Sequence, residues 1–269
     1  MRKKTESSKR ASTYEHSKSK DSIKIRGGKE VADDLNKNHE RVTAENPLKR
    51  QIKLHQFPWT EKQKDFFKIA LRPDTKIIFV NGPAGTSKTL LSVYCGLQLL
   101  NMKVISDIMY LRSAVESSES KLGFLPGSAD DKLKFYNLPF LDKLDELLVN
   151  TKPEKLEEEK RVSMFPVNFA RGMNWKDKCI ILDEAQNSTV KEITTVLTRL
   201  GSNSRCFILA DPMQTDLRNG NRGGFEKMFK LFSDEESAQQ GVYNFEFTEE
   251  DIMRSELVKF LVKKLKDLS

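Results

Sequence analysis

One stretch, Gly82-Pro83-Ala84-Gly85-Thr86-Ser87-Lys88-Thr89, constrains this chain more than any other. An apolar run, Ile77-Ile78-Phe79-Val80, precedes it, and residues 90–100 have a composition that suits a helix. A strand that turns through glycines into a helix beginning Lys-Thr is the local architecture of a phosphate-binding loop. Turn N–H groups and the helix N-terminus converge on one point, where the helix dipole favours an anion. On this reading all eight residues bind nucleotide, Lys88 reaches the terminal phosphates, and the Thr89 hydroxyl ligates Mg²⁺. One residue departs from the pattern, because Ser87 stands where glycine is usual. A Cβ there collides with phosphate or forces φ > 0, at a cost of ~1–2 kcal/mol. Against this, Ser is among the favoured helix N-caps, and its hydroxyl can satisfy an orphan N–H. Nucleotide binding is expected with Ser87 in place.

The second informative stretch is Lys178-Cys179-Ile180-Ile181-Leu182-Asp183-Glu184-Ala185-Gln186. Four apolar residues ending in two acids describe a buried parallel strand with carboxylates at its C-terminal end, where open parallel sheets bind ligands. Asp183 is placed to hold Mg²⁺ through water, and Glu184 to polarise an attacking water. A third core strand, Cys206-Phe207-Ile208-Leu209-Ala210-Asp211, leads to Gln214, a candidate contact to a γ-phosphate or to that water.

The 269 residues leave room for one large α/β domain or two small ones. Charge is uneven: the first 55 residues hold 15 Lys/Arg against 8 Asp/Glu, and the remainder balances at 31 of each. Residues 1–55 are expected to be a basic, largely disordered tail, and 56–269 the folded domain. Such a tail serves as a nucleic-acid-binding arm or simply as a solvated segment. All three histidines lie at or before residue 55, which excludes histidine-dependent triads and His-rich zinc sites from the body of the chain. Cys95, Cys179 and Cys206 are scattered through apolar runs and are expected as small buried side chains. No apolar run approaches the ~18 residues of a membrane helix, and the N-terminus lacks the apolar core of a secretion signal. The expectation is a cytoplasmic protein that meets no membrane.

Elsewhere, residues 60–71 read as a helix with Thr60 as N-cap and Phe66, Phe67, Ala70 and Leu71 on its apolar face. Its Gln63 offers the donor and acceptor that match the edge of adenine, although taken alone it reads as a solvent-facing helix residue. Strands are expected over 106–112, 162–167 and 243–247, and a turn-rich loop over 122–127. Helices are expected over 128–150, interrupted at Pro139, over 190–200, ended by Gly201 as C-cap, and over 225–232. A closing amphipathic helix is expected over 251–268, with Ile252, Leu257, Phe260, Leu261 and Leu265 on one side and Arg254 near its start.

From about residue 60 to 260 the chain resembles the PhoH family of P-loop ATPases, itself similar to the first RecA-like domain of superfamily 1 helicases. The phosphate loop, Arg112 with Ala114-Val115-Glu116, and Lys121-Leu122-Gly123-Phe124-Leu125-Pro126-Gly127 carry the resemblance. So do Arg171-Gly172, the Asp183-Glu184-Ala185-Gln186-Asn187 block, Leu197-Thr198-Arg199-Leu200-Gly201, Asp211, Gln214 and the Arg254 segment. The resemblance implies a single RecA-like P-loop NTPase domain, with a mostly parallel sheet flanked by helices. It also implies ATP binding, Mg²⁺-dependent hydrolysis and a link to single-stranded RNA or DNA, and it makes Gln63 the upstream glutamine that contacts adenine. The chain departs from the family pattern at Ser87, at Ser113 where the family has proline, and at Ala210 where it has glycine.

A helicase acting as a monomer needs two such domains with ATP between them, and this chain has room for one. An arginine finger, worth ~10³–10⁵ in rate, is then expected from a neighbouring subunit, with Arg254 and Arg199 as candidates; a homo-oligomer, such as a ring, follows. Nucleic-acid contacts are expected from Arg112, Lys121, Arg171 and the tail, with Phe124 as a stacking face or as loop packing. Two other functions stay open. A small-molecule kinase lacks support from any arginine-rich lid, and the Asp-Glu-Ala-Gln run better suits water attack. A nucleotide-sensing, non-catalytic module is kept open by Ser87.

Overall fold

Runs of apolar residues too short for helices and bounded by turns become the strands of one six-stranded, wholly parallel sheet in the computed structural model, which describes residues 50–113, 129–170, 172, 174–215 and 223–266. The strands are β1 (Ile77–Asn81), β2 (Asp107–Arg112), β3 (Val162–Pro166), β4 (Lys178–Asp183), β5 (Arg205–Ala210) and β6 (Val242–Glu246), in spatial order β3-β2-β4-β5-β1-β6. Burial on both faces explains why the central strands read as unbroken apolar runs. Side chains alternate between faces. In β1, Ile78 and Val80 join one core cluster and Phe79 the other.

The first face is covered by α1 (Glu61–Ala70), α2 (Lys88–Asn101), α3 (Ala129–Leu147) and α4 (Pro153–Glu158), through Phe66, Leu91, Leu97, Phe140, Leu144 and Leu156. The second is covered by α5 (Val190–Leu197) and α6 (Gly224–Leu231), through Ile193, Val196, Phe225 and Met228. A short α7 (Glu235–Gln239) and a last helix, α8 (Glu256–Lys266), complete the described elements. This is the α/β fold, a parallel central sheet flanked by helices, that the sequence predicts. Its order puts the ends of β1, β5 and β4 side by side, with Asn81 opposite Ala210 and Leu182 opposite Ile208.

Several expectations differ in detail. Residues 51–55, assigned to the tail, pack on the domain. Ile52 is buried and exchanges two hydrogen bonds with the Asn101 side chain, and the His55 N–H donates to the Leu147 carbonyl. The rest of the tail, the 114–128 segment with Lys121 and Phe124, Arg171 and residues 216–222 lie outside the described residues. Pro139 does not interrupt α3. Phe140, Leu144 and Leu147, spaced along one face and fully buried, outweigh the ~3 kcal/mol that an interior proline costs. Helix α5 ends at Leu197 with Thr198 as C-cap, so Gly201 is not the cap. Gly201 is needed for space, since its N–H donates to the Trp175 carbonyl at 2.6 Å and a Cβ would lie 2.7 Å from that oxygen. The last helix begins at Glu256, not 251, and Leu257, Phe260 and Leu261 are exposed instead of closing a core. All three cysteines are buried, as expected. No helix among the described residues is long and apolar enough to cross a membrane.

Candidate active site

The phosphate loop joins β1 to α2. Gly85 has φ +87°, a conformation that glycine adopts without penalty. Ser87 has φ 66° and its side chain makes no capping hydrogen bond. The N-cap argument for Ser87 is therefore overturned: its backbone is left-handed, not the extended conformation of a capping serine, and its hydroxyl makes no capping bond. The other argument, a positive φ with its cost, holds. Lys88, the first residue of α2, folds back so that Nζ donates to the carbonyls of Gly82 at 2.7 Å and Pro83 at 3.0 Å. Burial pulls the Lys88 ammonium below its ordinary pKa, while Asp211, Asp183 and Glu184 oppose that shift. Thr86 is buried beneath the loop, and its hydroxyl donates to the Pro83 carbonyl.

The end of β4 meets this loop. The Thr89 hydroxyl donates to Asp183 Oδ2 at 2.9 Å, Tyr110 Oη donates to the same oxygen at 2.8 Å, and the Glu184 N–H donates to Oδ1 at 3.0 Å. Glu184 itself has φ 54°, in the left-handed region, where β4 gives way to the following turn. Burial, with Asp183 alongside, raises the Glu184 pKa above the ordinary carboxylate range, against a hydrogen bond from the Gln186 amide and the nearby charge of Arg112. The Arg112 guanidinium stands 3.7 Å from Glu184 Oε1, so one of its contacts is with the carboxylate pair rather than with a nucleic-acid face. Gln186 links strand ends: Nε2 donates to Glu184 Oε2 and to the Gln214 carbonyl, and Oε1 accepts from the Asp211 N–H.

A third segment crosses the loop from the far side of the sheet. After β6 the Phe247 N–H donates to the Asn81 carbonyl, and the Met253 N–H donates to the Gly85 carbonyl at 2.9 Å. Ile252 and Arg254 press on Gly85, where a Cβ would lie 2.9 Å from Arg254 Cγ. Arg254 therefore reaches the phosphate loop of its own chain and needs no neighbouring subunit to do so. Arg199, the other finger candidate, has its carbonyl bonded to the Trp175 N–H just ahead of β4, at the opposite, N-terminal end of the strands.

These elements enclose a cavity of about 420 Å³. Ala84, Gly85, Ser87, Lys88, Thr89, Asp183, Glu184, Gln214 and Arg254 line it. Gly82 and Pro83 line an adjoining hollow with Met213 and the end of β6. Gln63 lines neither; it is buried, and its Oε1 accepts from the Thr60 N–H to close a capping box on α1. Its Nε2 has no partner among the described residues, so half of the expected adenine contact is committed elsewhere. Sequence reasoning gave no part to Tyr110, Lys143 or Glu146, and saw Gln186 only within the Asp-Glu-Ala-Gln run. Gln186 was legible as a polar residue inside the acidic block; the other three become visible only when α3 packs over β2.

A metal site built wholly from His, Cys, Asp and Glu is absent among the described residues. A nucleotide-bound Mg²⁺ needs less, because phosphate oxygens and water supply most of its six positions. The Thr89 hydroxyl and the Asp183 carboxylate, 2.9 Å apart beside the loop, fit that requirement.

Comparison with known proteins places these features in a family context. The PhoH-like protein family matches residues 57–266. A PhoH-like protein of Bacillus subtilis is 34% identical over 204 residues, covering 76% of this chain and 62% of that protein. One from Mycobacterium tuberculosis is 34% identical over 186 residues, covering 69% of this chain and 51% of its own length. The chain thus spans between half and two thirds of the length of these two relatives. Among solved structures, unliganded Pif1 from Bacteroides sp. aligns with 15% identity and TM-score 0.35, over 77% of this chain and 44% of that one.

Proposed function

Because this chain belongs to the PhoH-like family, we propose that it binds ATP with Mg²⁺, hydrolyses it, and couples hydrolysis to single-stranded nucleic acid, RNA foremost. The observation that carries the reading is the Thr89–Asp183 hydrogen bond, which joins the phosphate loop to the β4 carboxylate across β5 in one cavity with Lys88 and Glu184. In this reading the loop N–H groups and Lys88 hold the polyphosphate. Thr89 and, through water, Asp183 hold Mg²⁺, which when bound neutralises charge on the phosphate oxygens. Glu184, ionised, accepts a proton from the attacking water and orients it. Gln186 fixes Glu184 and keeps Gln214 beside it. Arg254 stabilises charge on the terminal phosphoryl group from within the same chain.

Nucleic-acid coupling draws support from the family and from the basic excess of residues 1–55. A homo-oligomer draws support from the exposed apolar side chains of α8, which starts two residues after Arg254. The test is the ATP hydrolysis rate, titrated with single-stranded RNA and then DNA at two salt concentrations, for the full chain and for a chain lacking residues 1–49. Stimulation by RNA is expected. The shortened chain is expected to need more RNA for half-maximal stimulation and to show a weaker salt dependence, since fewer phosphates are neutralised. Hydrolysis that ignores every nucleic acid overturns the coupling. Sedimentation showing a fully active monomer overturns the oligomer. The left-handed Ser87 favours one competing reading, a nucleotide sensor, which would bind ATP without turnover.

A further inference from the structure

Helix α3 carries two ionisable groups into the nucleotide cavity that the hydrolytic reading leaves without a part. Lys143 and Glu146 line it together with Lys88, Thr89 and Asp183. Their side chains pair with each other, Nζ to Oε2 at 2.7 Å, and each is more than one third exposed to solvent or nearly so, at 34% and 40%.

Their position is fixed from behind. Phe140, Leu144 and Leu147, on the adjoining stripe of the same helix turns, are completely buried. The Phe140 ring stacks on Tyr110, with centroids 4.7 Å apart and planes 15° apart. Tyr110 Oη in turn donates to Asp183 Oδ2. A continuous chain of contacts therefore places this turn of α3 on the Asp183 side of the cavity, the side assigned to the metal and the terminal phosphate.

An i,i+3 ion pair on a solvated helix surface contributes little to stability. Lys143 is thus released at little cost once a stronger anion arrives, and charge-assisted bonds to phosphate oxygens are stronger than such a pair. Lys88 approaches from the loop and Arg254 from the segment crossing it; Lys143 supplies a cation from a third wall.

We propose that Lys143 is a further nucleotide-binding residue, directed at the terminal phosphate, with Glu146 as the partner it leaves when a triphosphate binds. The proposal rests on the phosphate-site reading above. The test is calorimetric titration of the full chain with MgATPγS and with MgADP. Lys143→Ala is expected to weaken MgATPγS binding about tenfold and MgADP binding less than about threefold, the mark of a contact made to the terminal phosphate. Lys143→Arg should stay near the parent chain. Glu146→Gln removes the competing carboxylate without adding bulk and should tighten MgATPγS. Equal losses for both nucleotides in Lys143→Ala, no loss in either, or a weaker Glu146→Gln would overturn the proposal while leaving the phosphate site standing. Lys88→Ala, run alongside, separates the two: undiminished binding there overturns the phosphate site itself, and this proposal with it.

Discussion

Ser87 holds φ 66° without any hydrogen bond from its hydroxyl to the helix it opens. Left-handed geometry costs a β-carbon residue ~1–2 kcal/mol, and part of that returns in a glycine variant as extra unfolded-chain entropy. Ser87→Gly should therefore stabilise the protein by up to about 1 kcal/mol, seen as a higher Tm, and leave ATP hydrolysis unchanged or faster. A lower Tm would show that the serine side chain stabilises the loop in a way its geometry does not explain. Glu184, the proposed base, is a second left-handed residue, at φ 54°. Its pKa lies above the ordinary value, so the folded state holds a proton more tightly than the unfolded one. Stability from this group is present at low pH and is lost as pH rises through the folded pKa. In the proposed reaction activity runs the other way, because only ionised Glu184 accepts a proton. The acid limb of the rate profile should lie above the ordinary glutamate pKa of ~4.3. Arg112→Ala should move it higher still, since Arg112 favours the charged form. A limb at the ordinary value, unmoved in the variant, would remove Glu184 from the reaction.

The segment crossing the phosphate loop couples elements that lie far apart in the chain. Met253 bonds to Gly85, and Ile252 and Arg254 cover the glycine face that admits no side chain. Arg254→Ala is predicted to slow ATP turnover by ~10³-fold or more, as expected on losing a phosphate-directed arginine, while MgADP binding stays within about threefold. A turnover loss under tenfold would reduce Arg254 to a packing role. Much of this site was legible beforehand, for reasons particular to its elements. Local signals fix the phosphate loop and the β4 carboxylates: glycines between a strand and a helix, and acids closing an apolar run. Arg254 was legible as a candidate, but its route was not, because the return of β6 to the side of β1 is a pairing between residues more than 160 positions apart. Gln63 shows the same limit in reverse. Its chemistry suits adenine, yet a threonine three residues earlier claims its carbonyl through the capping box. Pro139 was read as a break because local propensity argues for one, and long-range burial of Phe140 and Leu144 overrides it.

Across the whole molecule, the parallel order β3-β2-β4-β5-β1-β6 gathers Lys88, Asp183, Glu184, Gln214 and Arg254 at the C-terminal end of the sheet, where three strand ends meet. The opposite, N-terminal end of the strands is built for stability, with Lys178 paired to Asp107 on the neighbouring strand, both buried. Removing one partner of such a pair typically costs ~3–5 kcal/mol, so variants there report on folding and variants at the cavity report on chemistry. Because Arg254 completes the cavity from within the chain, an assembly on the exposed face of α8 would regulate turnover rather than supply the arginine. The reading as a whole stands on one site that both binds and hydrolyses ATP, and the decisive measurement pairs the two activities. MgATP affinity and single-turnover hydrolysis should be measured for the parent chain, Lys88→Ala and Glu184→Gln. The account predicts that Lys88→Ala loses both, and that Glu184→Gln binds MgATP within about threefold of the parent while hydrolysis falls by ~10²–10⁴. Hydrolysis in Glu184→Gln at the parent rate, or undiminished binding and hydrolysis in Lys88→Ala, would contradict it.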